Sequence, residues 1–142
     1  TACGGEGGYE RPANLCEEEG AVCVTVPGRD LLAVDGDTFE LRRLGPSGRE
    51  ERVRLRLIGW DSPETGEAAA CAQEDELGLK VEAPARALFA AGDRVTFLPE
   101  GNDRYGRTRA HVYLDGDHIG WLLSKDGLSK PVDACGKVDW CG

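Results

Sequence analysis

The sequence predicts an α+β fold, a five-stranded OB-type β-barrel with two or three helices and disulfide cross-links. Three observations predict it. Five segments alternate apolar and polar residues as strands do, one long and one short segment have helical character, and six cysteines occur in 142 residues. Because the helical segments follow the third and the fifth strand, the order fits a small closed barrel of the OB type.

The first two strands are predicted from apolar runs separated by turn residues. An alternating run at 22–26 is interrupted by Pro27-Gly28 and resumes at 31–34, so we interpret the two pieces as one bent strand. Asp35-Gly36 connects it to the next strand at 38–44. Asp-Gly between apolar runs is a strong hairpin signal, so these strands should pair.

The third strand, 51–58, alternates strictly and presents aliphatic residues on one face and arginines on the other. The two sets are Val53, Leu55 and Leu57, and Arg52, Arg54 and Arg56. The last two strands are predicted at 93–98 and 108–114.

The long helical segment is 68–91, which is rich in alanine and glutamate. Pro84 interrupts it, so either the helix kinks there or Pro84 opens a new helix. A short helix at 118–125 should end before Gly127.

Composition indicates one domain preceded by a tail. Residues 1–19 are an acidic, Gly- and Glu-rich N-terminal tail, expected not to pack except where Cys3 and Cys16 anchor it. Residues 20–142 form the domain. No stretch approaches the roughly 20 apolar residues of a transmembrane segment. The chain starts at Thr1 without methionine, and we expect that an upstream segment has been removed.

Six cysteines and no methionine favour an oxidising compartment, although six buried thiols are the alternative. The cysteine spacing does not favour zinc, because there is no C-x2-C pair and His111 and His118 are not placed with cysteines. The net charge of −9 argues against a nonspecific nucleic-acid binder. The arginines are nevertheless concentrated in 42–56, so a local basic surface is expected on an acidic protein.

Three short blocks carry charge that a core does not need: V-D-G-D-T at 34–38, R-L-I-G-W-D-S-P-E at 56–64 and D-R-Y-G-R at 103–107. Their carboxylates suit a hard cation such as calcium, and their arginines suit phosphate oxygens. A further carboxylate can steer or deprotonate a water. The blocks thus contain the parts of a metal-assisted phosphodiester hydrolase.

In this order and spacing the blocks resemble the thermonuclease family, whose type member is staphylococcal nuclease, over about 31–129. The resemblance implies that Asp37, Asp61 and the Ser62 carbonyl hold Ca²⁺. It also implies that Glu64 orients or deprotonates the attacking water. The arginines expected to hold the phosphate are Arg56 and Arg107.

Each of these residues also has a plain structural interpretation. Asp37 suits a turn, Asp61 a strand end, Glu64 a solvated loop and Arg56 a wet sheet face. Arg104 and Tyr105 match family residues that touch the terminal phosphate and the nucleotide, and they equally suit an exposed loop.

The chain departs from the type member after Lys130, because no long final helix and no tyrosine beyond Tyr113 follow. The base-binding wall of the nucleotide pocket must therefore differ or be absent. Cys71 and the Trp140-Cys141 pair resemble a cysteine-bearing bacterial branch of the family. We hypothesise a Cys71–Cys141 disulfide, whose loop of ~70 residues would contribute ~4 kcal/mol in the chain-entropy model.

The resemblance implies a monomeric, calcium-dependent nuclease that cleaves DNA and RNA to 3′-phosphate products. It would be secreted, periplasmic or attached to the cell envelope. The alternatives are a catalytically inactive binding module for nucleic acid or protein, and a structural disulfide-linked envelope domain. Thr1-Ala2-Cys3-Gly4 also resembles the end of a bacterial lipoprotein signal, which would make Cys3 a lipid anchor. The competing hypothesis, favoured by the even number of cysteines, pairs all six.

Overall fold

The computed structural model describes residues 8–34, 36–91, 94–135 and 138–142, so the hypotheses on Cys3 and on the turn role of Asp35 lie outside the described residues. The strands are β1 Val24–Val26, β2 Leu31–Ala33, β3 Thr38–Leu44, β4 Glu50–Leu57, β5 Trp60–Asp61, β6 Val95–Asn102, β7 Thr108–Leu114, β8 Asp117–His118 and β9 Lys130–Pro131. The helices are α1 Ala72–Leu79, α2 Glu82–Ala91, α3 Ile119–Ser124 and α4 Val132–Cys135.

One curled sheet forms most of the structure. Its strand order is β1-β6-β7-β4-β3-β2, with β8 beside β7, and β5 pairs separately with β9. All of these pairs are antiparallel except β4 with β7, which is parallel. The strands at the two ends of this order, β1 and β2, are joined in the chain by a single 3-10 turn at Gly28–Asp30. The sheet therefore curves back on itself, which confirms the α+β, OB-type prediction.

The helical segment is divided into two helices, and Pro84 lies in the first turn of the second. At that position the missing proline N–H has no helical acceptor to lose, so the new-helix alternative is the correct one. The first helix starts at Ala72 and not at residue 68. Cys71 has extended backbone angles and caps it, because its Sγ accepts a hydrogen bond from Glu74 N at 3.4 Å.

The core lies between the concave face of the sheet and helices α2 and α3. The predicted aliphatic face of β4 supplies it, with Leu55 and Leu57 at 0% and 3% exposure. Phe39 meets Phe89 edge to face, with ring centroids 5.2 Å apart, and this contact joins the sheet to α2. On the other side, α3 approaches the Trp60 ring so closely that a side chain at Gly120 would overlap it.

The N-terminal segment packs where the sequence predicted a tail. Tyr9 contacts the Trp60 ring edge to face at 6.0 Å, and its carbonyl accepts a hydrogen bond from Trp121 Nε1 at 3.0 Å. Leu15 N donates to the buried Tyr113 hydroxyl at 3.2 Å. The expectation that residues 1–19 do not pack is therefore wrong for this part of the segment. The prediction failed because it rested on the acidic composition of the whole segment, whereas the packing depends largely on one aromatic residue, Tyr9.

Two disulfides join pairs of cysteines that both lie among the described residues. Cys71 is bonded to Cys141, the pair hypothesised above, and Cys16 is bonded to Cys23. Because such bonds persist in oxidising environments, they indicate an extracellular or otherwise oxidising compartment. Among the described residues, no helix has the length and apolar character needed to cross a membrane.

His118 is a buried histidine that packs among aromatic rings and caps α3. It is 2% exposed, its Nδ1 accepts from Gly120 N at 3.1 Å, and its ring lies 5.3 Å from that of Tyr113. Burial, followed by the nearby His111, lowers the pKa of His118 to about 3. The imidazole is therefore neutral in the fold, and Nδ1 is the unprotonated nitrogen.

We predict that this histidine makes the protein sensitive to acid. Since the unfolded chain binds a proton below about pH 6.5 and the fold resists it down to about 3, stability is lost as pH falls through this window. His118→Asn keeps a capping acceptor but removes the titration. Chemical denaturation at about pH 7.5 and about pH 4.5 should show a loss smaller by about 2.5 kcal/mol in the variant. Equal losses in the two proteins would contradict this account.

Candidate active site

A buried carboxylate and an arginine from neighbouring strands form the centre of the candidate site. Asp37 lies just before β3, is 1% exposed and accepts a backbone hydrogen bond from Leu57 N at 2.8 Å. Arg56 pairs with Thr38 in the β3–β4 register, so its side chain emerges beside Asp37. Its Nη1 lies 2.9 Å from Asp37 Oδ2. The hairpin therefore brings the first and second sequence blocks into direct contact.

The same guanidinium reaches a second carboxylate. Asp61 ends the two-residue strand β5, and its Oδ1 lies 4.0 Å from Arg56 Nη2. The Asp61 side chain is 27% exposed, in contrast to the buried Asp37. Arg56 thus lies between two carboxylates, and the three charges sum to a local net negative charge.

Close packing holds the two carboxylate-bearing loops together. A Cβ at Gly36 would overlap the Ser62 side chain and lie 2.6 Å from Val81 Cγ1, so only glycine fits there. Ser62 is 1% exposed and its hydroxyl donates to Leu128 O at 2.9 Å. This hydroxyl is therefore engaged with the backbone, and the predicted metal-binding atom of Ser62 is its carbonyl.

Glu74 fixes the loop that carries Glu64, and sequence reasoning missed it. Its carboxylate accepts from Glu64 N at 2.8 Å and from Ala70 N at 3.0 Å, and the residue is only 7% exposed. Helix α1 comes so near that a Cβ at Gly78 would lie 2.5 Å from Glu64 O. A glutamate three residues after the helix cap is a recognised pattern, and that spacing from Cys71 could have drawn attention to it.

Arg107 is presented by a tight turn built on Asp103. Asp103 Oδ1 accepts from Tyr105 N and from Arg107 N, both at 2.9 Å, and Gly106 turns the chain with φ 78°. Arg107 Nε lies 2.7 Å from Asp103 Oδ2, while its Nη1 lies 3.5 Å from Thr38 Oγ1. The third block is thereby brought beside the first.

The charge of Asp103 maintains this turn. Burial acts to raise the pKa of this carboxyl, but the hydrogen bonds from Arg107 and Tyr105 outweigh it and hold the pKa below its usual range. Asp103 therefore stays ionised and acts as a hydrogen-bond acceptor, which fixes the direction of the Arg107 side chain.

Arg104 and Tyr105 lie at the exposed tip of the same turn. Tyr105 is 68% exposed, and its hydroxyl accepts from Arg104 Nη2 at 2.8 Å. Its ring is flanked by the guanidinium groups of Arg104 and Arg107, at 4.9 and 5.4 Å from the centroid. The tyrosine is accessible and adjoins the candidate arginine, so it can meet a ligand held there.

A cavity of about 520 Å³ lies beside part of the candidate site: Asp61, Glu64 and Glu74 line it, whereas Asp37, Arg56 and Arg107 are not among its lining residues. The donor chemistry suits a hard cation, since carboxylates with local excess negative charge are what Ca²⁺ takes. Within the described residues, however, no three histidine, cysteine or acidic side chains are clustered as a complete metal site. Asp37 and Asp61 would need a carbonyl, Glu64 across the cavity, or water to complete a ligand set.

Comparisons with known proteins show which family the chain resembles. A family model described as staphylococcal nuclease homologue matches residues 54–138. The chain is 32% identical over 100 residues to Endonuclease YncB of Bacillus subtilis (strain 168), covering 69% of this chain and 44% of that protein. It is 33% identical over 97 residues to Thermonuclease of Staphylococcus intermedius, covering 68% and 54% respectively.

These matches define the class: the chain belongs to the staphylococcal nuclease family. This confirms the family predicted from the three sequence blocks. The chain spans about half the length of the curated relatives it matches.

We predict that Glu74 is a structural anchor for the Glu64 loop. In Glu74→Gln an amide NH₂ group replaces one of the two carboxylate oxygens. It then faces a backbone N–H, either of Glu64 or of Ala70, that has lost its acceptor. The free energy of unfolding should therefore fall by about 2 kcal/mol. Glu76→Gln, an exposed change in the same helix, should alter it by less than about 0.5 kcal/mol. Urea denaturation of both variants measures this, and equal stabilities would show that the Glu74 bonds contribute nothing.

Proposed function

We propose that this chain is a calcium-dependent nuclease that hydrolyses phosphodiester bonds of DNA and RNA and leaves 3′-phosphate products. The observation that carries the proposal is the arrangement of Asp37 and Asp61 around Arg56, with Arg107 held next to Thr38. Carboxylates able to hold a cation and arginines able to hold a phosphate thus meet at one side of the barrel.

The candidate residues divide into three roles. Asp37, Asp61 and the Ser62 carbonyl would hold the cation, which when bound supplies Lewis-acid stabilisation of phosphoryl charge. Arg56 and Arg107 would hold the non-bridging phosphate oxygens and the charge that develops on them in the transition state. To bind the phosphate, Arg56 would give up part of its contact with Asp37 and contact the phosphate oxygens instead.

Glu64 would orient the attacking water or accept its proton. Its backbone is fixed by Glu74, and it lines the same cavity as Asp61, so a water there would have a carboxylate beside it. Attack in line with the leaving group would break the bond to the 5′ oxygen. The phosphate would remain on the 3′ oxygen, and the 5′ oxygen would leave with a proton.

An arginine row on the outer face of the sheet supports a polynucleotide substrate. Arg109 is the β7 neighbour of Arg56, and Arg54 follows on the same face of β4. Both are exposed, and within the described residues neither takes part in an ion pair. These exposed charges can contact phosphates beyond the cleaved one, despite the overall charge of −9.

The compartment is inferred from the disulfides, and the oligomeric state from the composition of the candidate site. We infer a secreted, periplasmic or envelope-attached protein, because the disulfides require oxidising conditions. A lipid anchor at Cys3 stays a hypothesis. The candidate groups all come from a single chain, so a monomer suffices for the chemistry.

The second candidate is a binding module without catalysis. Two observations favour it: the described residues contain no complete cluster of metal-binding side chains, and Arg56 is engaged by Asp37. Assays of cleavage and of nucleic-acid binding, each with calcium and with a chelator, separate the candidates. Binding without cleavage in both conditions would favour the module.

We predict that Asp37→Asn abolishes calcium-dependent cleavage. The amide keeps the shape of the side chain but loses the negative charge that a cation needs. Loss of a residue that hydrogen-bonds to a metal ligand typically costs about 10–100-fold in metal affinity or activity, and loss of the ligand itself should cost at least as much. We therefore expect activity to fall at least about a hundredfold. Cleavage of labelled single-stranded DNA measures this, with circular dichroism to verify folding. Asp126→Asn, on the exposed surface, is the control. Cleavage by Asp37→Asn at the parent rate would exclude this carboxylate as a ligand.

A further prediction concerns the arginine row. Arg54→Gln/Arg109→Gln should bind a non-cleavable single-stranded oligonucleotide more weakly, with a slope of log K against log salt smaller by about 1.4. Fluorescence anisotropy at several salt concentrations measures the slope. Arg29→Gln/Arg94→Gln removes two other exposed arginines from outside the row and should leave the slope unchanged. An equal effect in both pairs would mean that only net charge matters.

A further inference from the structure

Trp140 touches the candidate site from a part of the chain remote from all three sequence blocks. Its indole Nε1 donates to Asp61 Oδ2 at 3.3 Å. The residue is 6% exposed, and it lines the same cavity as Asp61 and Glu64. The Asp61 carboxylate therefore accepts a hydrogen bond from the indole at Oδ2, while its Oδ1 lies 4.0 Å from Arg56 Nη2.

Lys130 completes the surroundings of this carboxylate. It is the strand partner of Asp61 in the β5–β9 pair, and its Nζ lies 5.0 Å from the centroid of the Trp140 ring. The tryptophan thus contacts both the lysine, through its ring, and the carboxylate, through its N–H. A ring in this position limits the directions in which the Asp61 side chain can turn.

A disulfide holds Trp140 in place. The next residue, Cys141, is bonded to Cys71, which is also the residue that caps α1. The first turn of that helix carries Glu74, the anchor of the Glu64 loop. One covalent link therefore joins the segment that orients Asp61 to the helix that orients Glu64.

We propose that Trp140 is a positioning residue for Asp61 and that the Cys71–Cys141 disulfide keeps it in that position, so that the site is complete only in the oxidised protein. The inference rests on the proposed function, since it gives Asp61 the role of a cation ligand. Groups that orient metal ligands typically contribute 10–100-fold to metal affinity. The indole N–H does so by fixing one carboxylate oxygen and leaving the other turned toward Arg56.

The first experiment needs no metal. The indole N–H signals of the full chain are recorded by ¹⁵N–¹H NMR and followed through hydrogen exchange. Asp61→Asn should shift the Trp140 signal and speed its exchange, while the Trp121 signal, whose N–H donates to Tyr9 O, should stay unchanged. An unaffected Trp140 signal would overturn the positioning role.

The second experiment measures calcium affinity by titration calorimetry. Trp140→Phe keeps the ring but loses the donor, and should weaken binding at least about tenfold. Trp121→Phe is the matched control, since it loses an indole donor away from the site, and should bind as the parent does. Equal affinities of the parent and Trp140→Phe would overturn the proposal. A parent that binds no calcium would instead refute the proposed cofactor, and the NMR result would still decide the positioning role.

The third experiment tests the disulfide. Cys71→Ser/Cys141→Ser keeps a capping side chain on α1 and should reproduce the exchange rate of the Trp140 N–H seen in Asp61→Asn. Cys16→Ser/Cys23→Ser removes the Cys16–Cys23 disulfide and should leave that signal protected. If removal of either disulfide has the same effect, or if neither has any, the redox dependence is wrong. Should the first variant fail to fold, Trp140→Phe still tests the positioning role.

Discussion

The ion pair between Asp37 and Arg56 is the interaction on which the rest of the site depends. A carboxylate that is 1% exposed is costly to bury, and the fold can hold it only beside a cation. The nitrogen 2.9 Å away belongs to the neighbouring strand, so the charge of one strand is compensated by the next. Breaking such a pair typically costs about 3–5 kcal/mol, because one charge is left buried and unpaired. The same guanidinium lies 4.0 Å from Asp61 Oδ1, so it is near both carboxylates of the site.

The loops around the Asp37–Arg56 ion pair are held in place by close backbone packing as much as by charge. Gly36 and Gly78 lie where the hairpin turn and α1 press against the loop from Ser62 to Glu64, and any side chain would separate them. Glu74 then satisfies two backbone donors of the same loop. A loop that would otherwise be mobile is thereby held on regular elements, which is how reactive groups keep their geometry.

The sequence predicted those parts of the molecule that periodicity or a local motif encodes. The alternation of 51–58 predicted both the buried aliphatic face and the arginine face of β4, because strand geometry separates neighbouring side chains. Asp-Gly predicted the hairpin. The packing of Tyr9 on Trp60 and the contact of Trp140 with Asp61 could not be predicted, because each joins residues far apart in the chain. A single aromatic residue in a polar segment produces no periodic pattern from which its packing could be predicted.

The strand order has a consequence for the rate of folding and for the order in which contacts form. The β3–β4 and β6–β7 hairpins close short loops, and the first of them already brings Asp37 to Arg56. In contrast, Val24 must find Phe97, and β4 must find β7 in parallel across the whole helical segment. Pairings of this kind pay a large loop-closure entropy before they gain contacts, and they place a protein among the slower folders. We therefore expect the Asp37–Arg56 ion pair to form with its local hairpin, whereas the contacts of Arg107 with Thr38 and of Trp140 with Asp61 need segments far apart in the chain to meet.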